Sequence, residues 1–207
     1  VAFFDDEAKL SIASAFFENI FGHESASLPS VNIHQLYEPA NLQALEAPFT
    51  WEEVANIIRS MPNNKSPGPD GFTNEFYKAF MPILKDDLLL LFQDFYDQAS
   101  DLQGVNLANI VLIPKKDNLV DIRDFRPISL VHSLPKLVSK VLVSRLQRLI
   151  LELVHQLQSG FLQGRCIAEN FVLAAKLVHQ AKVRRKPMVA LTLDFCKAFD
   201  TVSWEAL

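Results

Sequence analysis

The chain has few cysteines: Cys166 and Cys196 are its only two. They form neither the close pair of a zinc site nor the CxxC pattern of a thiol redox enzyme, which excludes both classes and makes a reducing compartment the default. The five histidines are also scattered without ligand spacing. The sequence therefore gives no sign of a histidine- or cysteine-based metal centre.

Long apolar runs are missing as well. A membrane-spanning helix needs about 18 or more consecutive apolar residues, whereas the best candidates here are the short runs Leu88–Phe92 and Leu107–Ile113. The N-terminus lacks the basic region and apolar stretch of a secretory signal peptide, and because it does not begin with Met we expect a fragment. We therefore expect no membrane partner and a nuclear or cytoplasmic location, and no pattern indicates a protein partner.

What the chain does have is an apolar share of 49% over 207 residues, typical of a globular domain or a piece of one. Its net charge of −4 conceals an asymmetry: residues 1–104 hold 5 Lys and Arg against 16 Asp and Glu, and residues 105–207 hold 15 against 8. A basic half is what a polyanion partner such as nucleic acid requires. Ordinary solvated helix faces are the alternative.

Apolar periodicity and breaker residues predict mostly helical structure. The N-terminal helix carries acids in its first turn, and the next begins with a Thr50–Glu53 capping box. A stiff loop rich in Pro and Gly, Asn63–Phe72, separates two helices. Helices are predicted over 5–21, 51–60, 74–80, 82–98, 133–154 and 167–182, with residues 22–48 as a surface connection.

Two strands, Leu107–Ile113 and Arg123–Leu130, are predicted to form a hairpin whose loop presents Lys115, Lys116 and Arg126 together. A third, buried strand is predicted over Met188–Leu193.

Asp194 follows that third strand directly, and Asp200 comes six residues later. A carboxylate at the tip of a rigid strand is what a metal-dependent phosphoryl-transfer site needs, because the strand fixes the oxygens that hold Mg²⁺. The alternative is that Asp194 caps a turn and Asp200 caps the next helix. From spacing alone, both interpretations stay open.

Five motifs occur in the order NKSPGPDGF, LIPK, DFRPISL, QSGFLQGR and LDFCKAFDTVSW. In that order they resemble the reverse transcriptases of LINE-type, non-LTR retrotransposons, and most of all the plant versions. The resemblance extends from about Phe49 to Leu207. Five ordered motifs are far more specific than any one of them.

The resemblance implies an α+β protein with the right-hand polymerase fold, helix-rich with a small antiparallel sheet, of which this chain holds the fingers and the first part of a truncated palm. Residues 1–48 would be a linker or N-terminal helical extension, and 49–104 a helical part with the PGPDG loop. The fingers would span 105–186, and the palm would begin over 187–207.

Roles for individual residues are implied too. Asp194 would be the catalytic, metal-binding aspartate of the palm, and the carbonyl of Phe195 would face the same Mg²⁺ ion. Lys115 and Arg126 would hold the incoming dNTP triphosphate. Phe199 would be the aromatic gate that excludes a ribose 2′-OH, while Asp200 would be structural.

Contacts with the nucleic acid are implied for the PGPDG loop and the QSGFLQGR segment, and we add Lys116 from the basic hairpin. The residues are Lys116, Arg165 with its neighbour Gly164, Pro69, Asp70 and Gly71. Four cations on the 133–154 helix could equally contact phosphates or lie on a solvated face: Lys136, Lys140, Arg145 and Arg148.

The function implied is metal-dependent nucleotidyl transfer from a dNTP to a primer 3′-OH, with an RNA template and a DNA primer as partners. One alternative is a non-catalytic relic or a domesticated RNA-binding fragment. Another is a complete metal enzyme of a different kind, for which Glu169 and Glu205 are the acids nearest to Asp194 in sequence.

We predict that the 207-residue chain alone does not extend a DNA primer on an RNA template with dNTPs and Mg²⁺ or Mn²⁺. Two-metal catalysis needs a second carboxylate set, usually an Ala-Asp-Asp hairpin, and none follows Asp194 in this sequence. A primer-extension assay measures this. Template-dependent incorporation that Asp194→Ala abolishes would contradict the prediction.

Overall fold

The computed structural model describes residues 5–20, 40–118 and 121–194. Within these ranges the chain is helix-rich with one small antiparallel sheet, as the sequence predicts. The helices are α1 (Asp6–Glu18), α2 (Trp51–Ser60), α3 (Asn74–Tyr96), α4 (Ser133–Gln147), α5 (Ile150–Leu153) and α6 (Ile167–Val183). The strands are β1 (Ala108–Pro114) and β2 (Phe125–Val131), and short 3-10 turns lie at Gln43–Glu46 and Ile122–Asp124. No helix in the described ranges has the length and apolar character needed to cross a membrane.

The capping box that predicts the start of helix α2 is present in the structure. The Thr50 hydroxyl accepts a hydrogen bond from the Glu53 amide at 3.3 Å, and the Glu53 carboxylate accepts one from the Thr50 amide at 3.1 Å. This reciprocal capping box satisfies two N–H groups that the first helical turn leaves without partners. Helix α2 therefore begins where the sequence predicts.

Two predicted helix boundaries are wrong. Pro82 was expected to begin a new helix, but α3 runs through it without a break from Asn74 to Tyr96. A proline inside a helix loses its own N–H bond and its ring crowds the carbonyl four residues earlier. The buried Tyr77, Leu88 and Phe92 hold the helix on both sides of Pro82 and offset this cost. Conversely, the long helix predicted over 133–154 ends at Gln147, and only a single turn, α5, follows.

The described residues belong to two compact units. One comprises 40–113 and 126–172, and its core lies where α2, α3 and α4 pack together. Its largest fully buried side chains are Phe92, Ile58, Leu137, Val54 and Val141. Of the described residues, the other unit comprises 5–20, 114–118, 121–125 and 173–194. The four-part division expected from the sequence stays a prediction.

Arg145 is the most heavily engaged polar side chain of the first unit. Its guanidinium is 6% exposed and makes a two-pronged ion pair with Glu53, with N–O distances of 2.9 and 2.8 Å. It also donates to the carbonyls of Leu45 (3.2 Å), Ala47 and Pro48 (2.8 Å), and its Cζ lies 4.2 Å from the centre of the Phe49 ring. A buried charge is stable only when paired and hydrogen-bonded in this way. Arg145 is therefore committed to the protein interior, so both interpretations considered for it, phosphate contact and a solvated helix face, are wrong.

The predicted strand Met188–Leu193 is not present. These residues have no regular secondary structure, and Val189, Leu191 and Leu193 are 77–91% exposed. A strand needs a neighbour to satisfy its N–H and C=O groups, and β1 and β2 are the only strands in the described ranges, paired with each other. An apolar sequence alone therefore does not produce a strand here.

The Glu53–Arg145 pair should make stability depend on pH. Hydrogen bonds from Arg145 lower the pKa of Glu53 to about 2, from an ordinary value of 4.5. A lowered carboxyl pKa contributes stability above the unfolded-state value, and that contribution is lost as pH falls from about 4.5 towards 2. We expect up to about 3 kcal/mol in the free energy of unfolding.

Urea unfolding of the wild type and of Glu53→Gln between pH 2 and 7 measures this. The difference in unfolding free energy between the two proteins should shrink as the pH falls. A difference that stays constant across this range would show that the pair does not carry the effect.

Candidate nucleic-acid interface

The loop Asn63–Phe72 is fastened to the junction between β2 and α4. Its Asp70 carboxylate accepts a hydrogen bond from the Ser133 amide at 2.8 Å and another from the Phe72 amide at 3.3 Å. His132 Nδ1 lies 3.5 Å from the same carboxylate, and both side chains are about 15% exposed. The Ser133 hydroxyl donates to the Phe72 carbonyl at 2.7 Å. Helix α4 has no capping side chain of its own, so Asp70 supplies an acceptor and a negative charge at its N-terminus.

Gly68 makes the close approach between loop and junction possible. A Cβ atom at this position would lie 2.2 Å from the carbonyl oxygen of Val131 and 2.8 Å from the amide nitrogen of His132. Gly71 has a φ of +71°, and its amide donates to the Gly68 carbonyl at 3.1 Å, which closes the turn. The two glycines therefore serve different needs: one allows contact and the other allows a left-handed turn.

Pro69, Asp70 and Gly71 are thus placed by contacts within the protein, which we call the loop clasp (Gly68–Phe72 against Val131–Ser133). Their predicted contact with a nucleic acid stays a prediction. Sequence reasoning missed the structural role of Asp70 because capping rules concern neighbours in sequence, and Ser133 is 63 residues away.

The segment between β1 and β2 neutralises its own charges. Lys116 pairs with Asp124 at 2.8 Å, and Arg123 makes two hydrogen bonds with Asp121, each of 2.8 Å. Arg123 holds the pKa of the Asp121 carboxyl well below its usual range. Lys115 donates from Nζ to the Arg123 carbonyl at 2.7 Å. Residues 115–124 hold three Lys or Arg and three Asp, and each of the three cations has a partner within the segment.

Arg126 lies on β2 and is exposed. That its side chain lies together with those of Lys115 and Lys116, and that it binds the triphosphate together with Lys115, stay predictions.

The other cations of α4 have different surroundings from Arg145. Lys136 and Lys140 line an open groove of about 670 Å³, whose wall includes the apolar side chains of Ile57, Leu107 and Val143. Arg148 is exposed at the end of the helix. These three cations remain candidates for phosphate contact.

Arg165 is engaged by main-chain carbonyls. Its guanidinium donates to four of them at distances of 2.5–3.2 Å, which holds the turn after α5 in place; they belong to Leu151, Val154, His155 and Gln158. Asn170 supports the same turn through the Leu157 carbonyl and the Ser159 hydroxyl, at 2.8 and 2.9 Å. Gly164 has a φ of +86° and open space around it. These contacts give Arg165 a positioning role, and its phosphate contact stays a prediction.

Phe161 is a residue that sequence reasoning missed. Its ring is fully exposed and its φ is +62°, a left-handed conformation that costs energy in a non-glycine residue. A shallow pocket of about 200 Å³ beside it is lined by Val143, Leu146 and Ile150. The signal in the sequence was an aromatic residue in a turn between two glycines, Gly160 and Gly164.

Asp194 is exposed and lies in a segment without regular secondary structure. Phe195, Phe199 and Asp200 lie outside the described residues. No group of three or more His, Cys, Asp or Glu side chains that could hold a metal ion occurs in the part of the chain that the structure describes. Glu169 is exposed on α6.

Comparison with known proteins gives a consistent result. Residues 113–207 match the family model described as reverse transcriptase (RNA-dependent DNA polymerase). The chain is 32% identical over 213 aligned residues to the "Transposon TX1 uncharacterized 149 kDa protein" of Xenopus laevis, an alignment that covers 98% of this chain and 16% of that protein.

This chain belongs to the reverse transcriptase family. It is also 26% identical to the Pol polyprotein of the type-1 retrotransposable element R1 of Bradysia coprophila, over 84% of this chain and 18% of the relative. Identity to the RNA-directed DNA polymerase from the mobile element jockey of Drosophila melanogaster is 26%, over 83% of this chain and 21% of the relative.

The chain thus spans about a sixth to a fifth of the length of these relatives, and it corresponds to part of the reverse transcriptase region of non-LTR retrotransposon proteins. The expected family is confirmed, and the alternative of a domesticated RNA-binding fragment is not favoured. These relatives come from animals, so the plant-like character stays a prediction.

The loop clasp generates a stability prediction. Gly68→Ala should lower the free energy of unfolding by about 1–3 kcal/mol, because the added methyl group meets main-chain atoms that cannot rotate away. Gly104→Ala is the matched control: nothing lies within 4 Å of a Cβ there, so its effect should stay within about 0.5 kcal/mol. Urea unfolding of both variants measures the difference, and equal effects would contradict the contact.

Proposed function

We propose that this chain forms the nucleotide-facing fingers and the start of the palm of an RNA-directed DNA polymerase with the right-hand fold. The reaction would transfer a nucleotide from a dNTP to a primer 3′-OH on an RNA template. The observation that carries the proposal is the family match over 113–207, which includes the β1–β2 segment and Asp194.

Divalent metal use follows from the family, and we assign the ion as Mg²⁺. The Asp194 carboxylate and the Phe195 carbonyl are hard oxygen donors of the type that Mg²⁺ prefers. Asp194 is exposed, so its oxygens are accessible. Bound there, the ion would neutralise charge on the reacting phosphates. Two carboxylate sets are needed for two ions, and this chain would supply the first.

Lys115 and Arg126 would bind the triphosphate. Both side chains are exposed, and Arg126 lies on a regular strand that fixes its backbone. The hydrogen bond from Lys115 to the Arg123 carbonyl does not neutralise the ammonium charge. An arginine fork and a lysine point charge are complementary ways of holding phosphate oxygens.

Phe199 would form the gate beneath the sugar, because an aromatic ring five residues after Asp194 would occupy the space of a 2′-OH. Template and primer contacts would come from exposed cations of the basic half. Lys136, Lys140 and Arg148 are the candidates for that surface. Lys116, the neighbour of Lys115 in sequence, is a candidate for phosphate contact with both the nucleic acid and the triphosphate.

Binding of RNA tests this surface without requiring catalysis. The chain should bind a single-stranded RNA weakly, without sequence preference, and more tightly at low salt. Each phosphate contact contributes about 0.7 to the slope of log affinity against log salt on a single strand. The double variant Lys115→Ala with Arg126→Ala should therefore flatten that slope by roughly 1–1.5 units.

The control is Lys176→Ala with Lys182→Ala, which removes the same charge from the exposed surface of α6. Fluorescence anisotropy at several salt concentrations gives the slopes. If both double variants flatten the slope equally, general charge and not the β1–β2 segment is responsible. If wild-type binding does not depend on salt, the proposed nucleic-acid surface is wrong.

A further inference from the structure

The ion pair between Lys116 and Asp124 joins an exposed cation to a more enclosed anion. The Lys116 side chain is 55% exposed, whereas that of Asp124 is 18% exposed. The Asp124 carboxylate also accepts a hydrogen bond from the Asp121 amide at 3.2 Å, within the capping box of the turn that precedes β2. The lysine can therefore swing away into solvent while the carboxylate stays in place.

A second pair lies in the same turn. Arg123 is held by the Asp121 carboxylate, which also caps the turn by accepting from the Arg123 amide at 2.9 Å. Lys115 is directed to the Arg123 carbonyl. Each cation of this loop thus has a partner before any phosphate arrives, although the proposed function expects this loop to receive the triphosphate.

We propose that Asp124 is an internal counter-ion that a triphosphate must displace from Lys116. This competition would affect specificity. The charge of a triphosphate is large enough to displace the Asp124 carboxylate from Lys116, whereas a single phosphate competes less well. This inference rests on the proposed function of the β1–β2 segment.

The size of the effect follows from the exposure of the pair. Ion pairs near the surface contribute modestly, so removing the competing carboxylate should tighten triphosphate binding by roughly two- to fivefold at low salt. Salt should reduce this gain, because the charges are partly exposed and screened.

The test is binding of inorganic tripolyphosphate to the 207-residue chain, measured by calorimetry. Asp124→Asn removes the charge but keeps an oxygen that can accept from the Asp121 amide, so the turn is preserved. Asp124→Ser is a second variant with the same property, in case the first does not fold. Both should lower the dissociation constant for tripolyphosphate two- to fivefold and that for monophosphate by less.

Asp117→Asn is the matched control. Asp117 lies in the same loop and is exposed, and among residues 5–20, 40–118 and 121–194 it has no ion pair. Its substitution changes the net charge equally without releasing Lys116, so the gain should stay below about twofold. In a Lys116→Ala background, Asp124→Asn should give no more than this general charge effect.

The outcomes separate the two proposals. If Lys116→Ala and Arg126→Ala weaken tripolyphosphate binding but Asp124→Asn matches Asp117→Asn, the counter-ion role is overturned and the phosphate site stands. If neither the wild type nor either Asp124 variant binds tripolyphosphate, the phosphate site itself is wrong and the inference falls with it. If the Asp124 variants bind tripolyphosphate and the wild type does not, the counter-ion proposal is supported, because the Asp124 carboxylate then blocks binding completely.

Discussion

The burial of one guanidinium constrains the arrangement of the larger unit. Arg145 joins α4 to Glu53 of α2 and to the carbonyls of Leu45, Ala47 and Pro48. One guanidinium therefore holds together two helices and the segment that precedes α2. Removing either member of a buried ion pair leaves the other without compensation, which is strongly destabilising. Because this pair sets where α4 lies, it also sets where the N-terminus of α4 meets Asp70, and thus where β2 ends.

Several cations of the basic half are held by contacts within the protein. Arg145 and Arg165 hold main-chain carbonyls, and Lys116 and Arg123 are paired with acids. A count of lysine and arginine therefore overstates the surface that this reverse transcriptase segment offers to nucleic acid. The exposed cations that make no such contact among the described residues, together with the fully exposed ring of Phe161, form a smaller and more specific set of candidates.

The features that were predictable from the sequence are those whose cause is local. The Thr50–Glu53 capping box and the β1–β2 hairpin depend on residues close together in the chain. The clasp of Asp70 on Ser133 and the burial of Arg145 could not be found in this way, since their partners are 63 and about 100 residues away. The strand expected over Met188–Leu193 failed for a related reason: pairing is decided by a neighbour and not by the strand's own composition.

The distance in sequence between Asp70 and Ser133 also has a consequence for the order of folding. Closing a loop of this length costs conformational entropy before any contact compensates for it. The capping box of α2 involves residues three apart and carries almost no such cost. The packing of α4 on α2 joins residues still further apart, such as Glu53 and Arg145, 92 positions apart, and once it has formed the ends of the shorter loop are already close. We therefore expect the end of β2 to gain its final position after α2, α3 and α4 have collapsed around Phe92 and Leu137, so that a ribosome must release the whole of α4 before this junction can form.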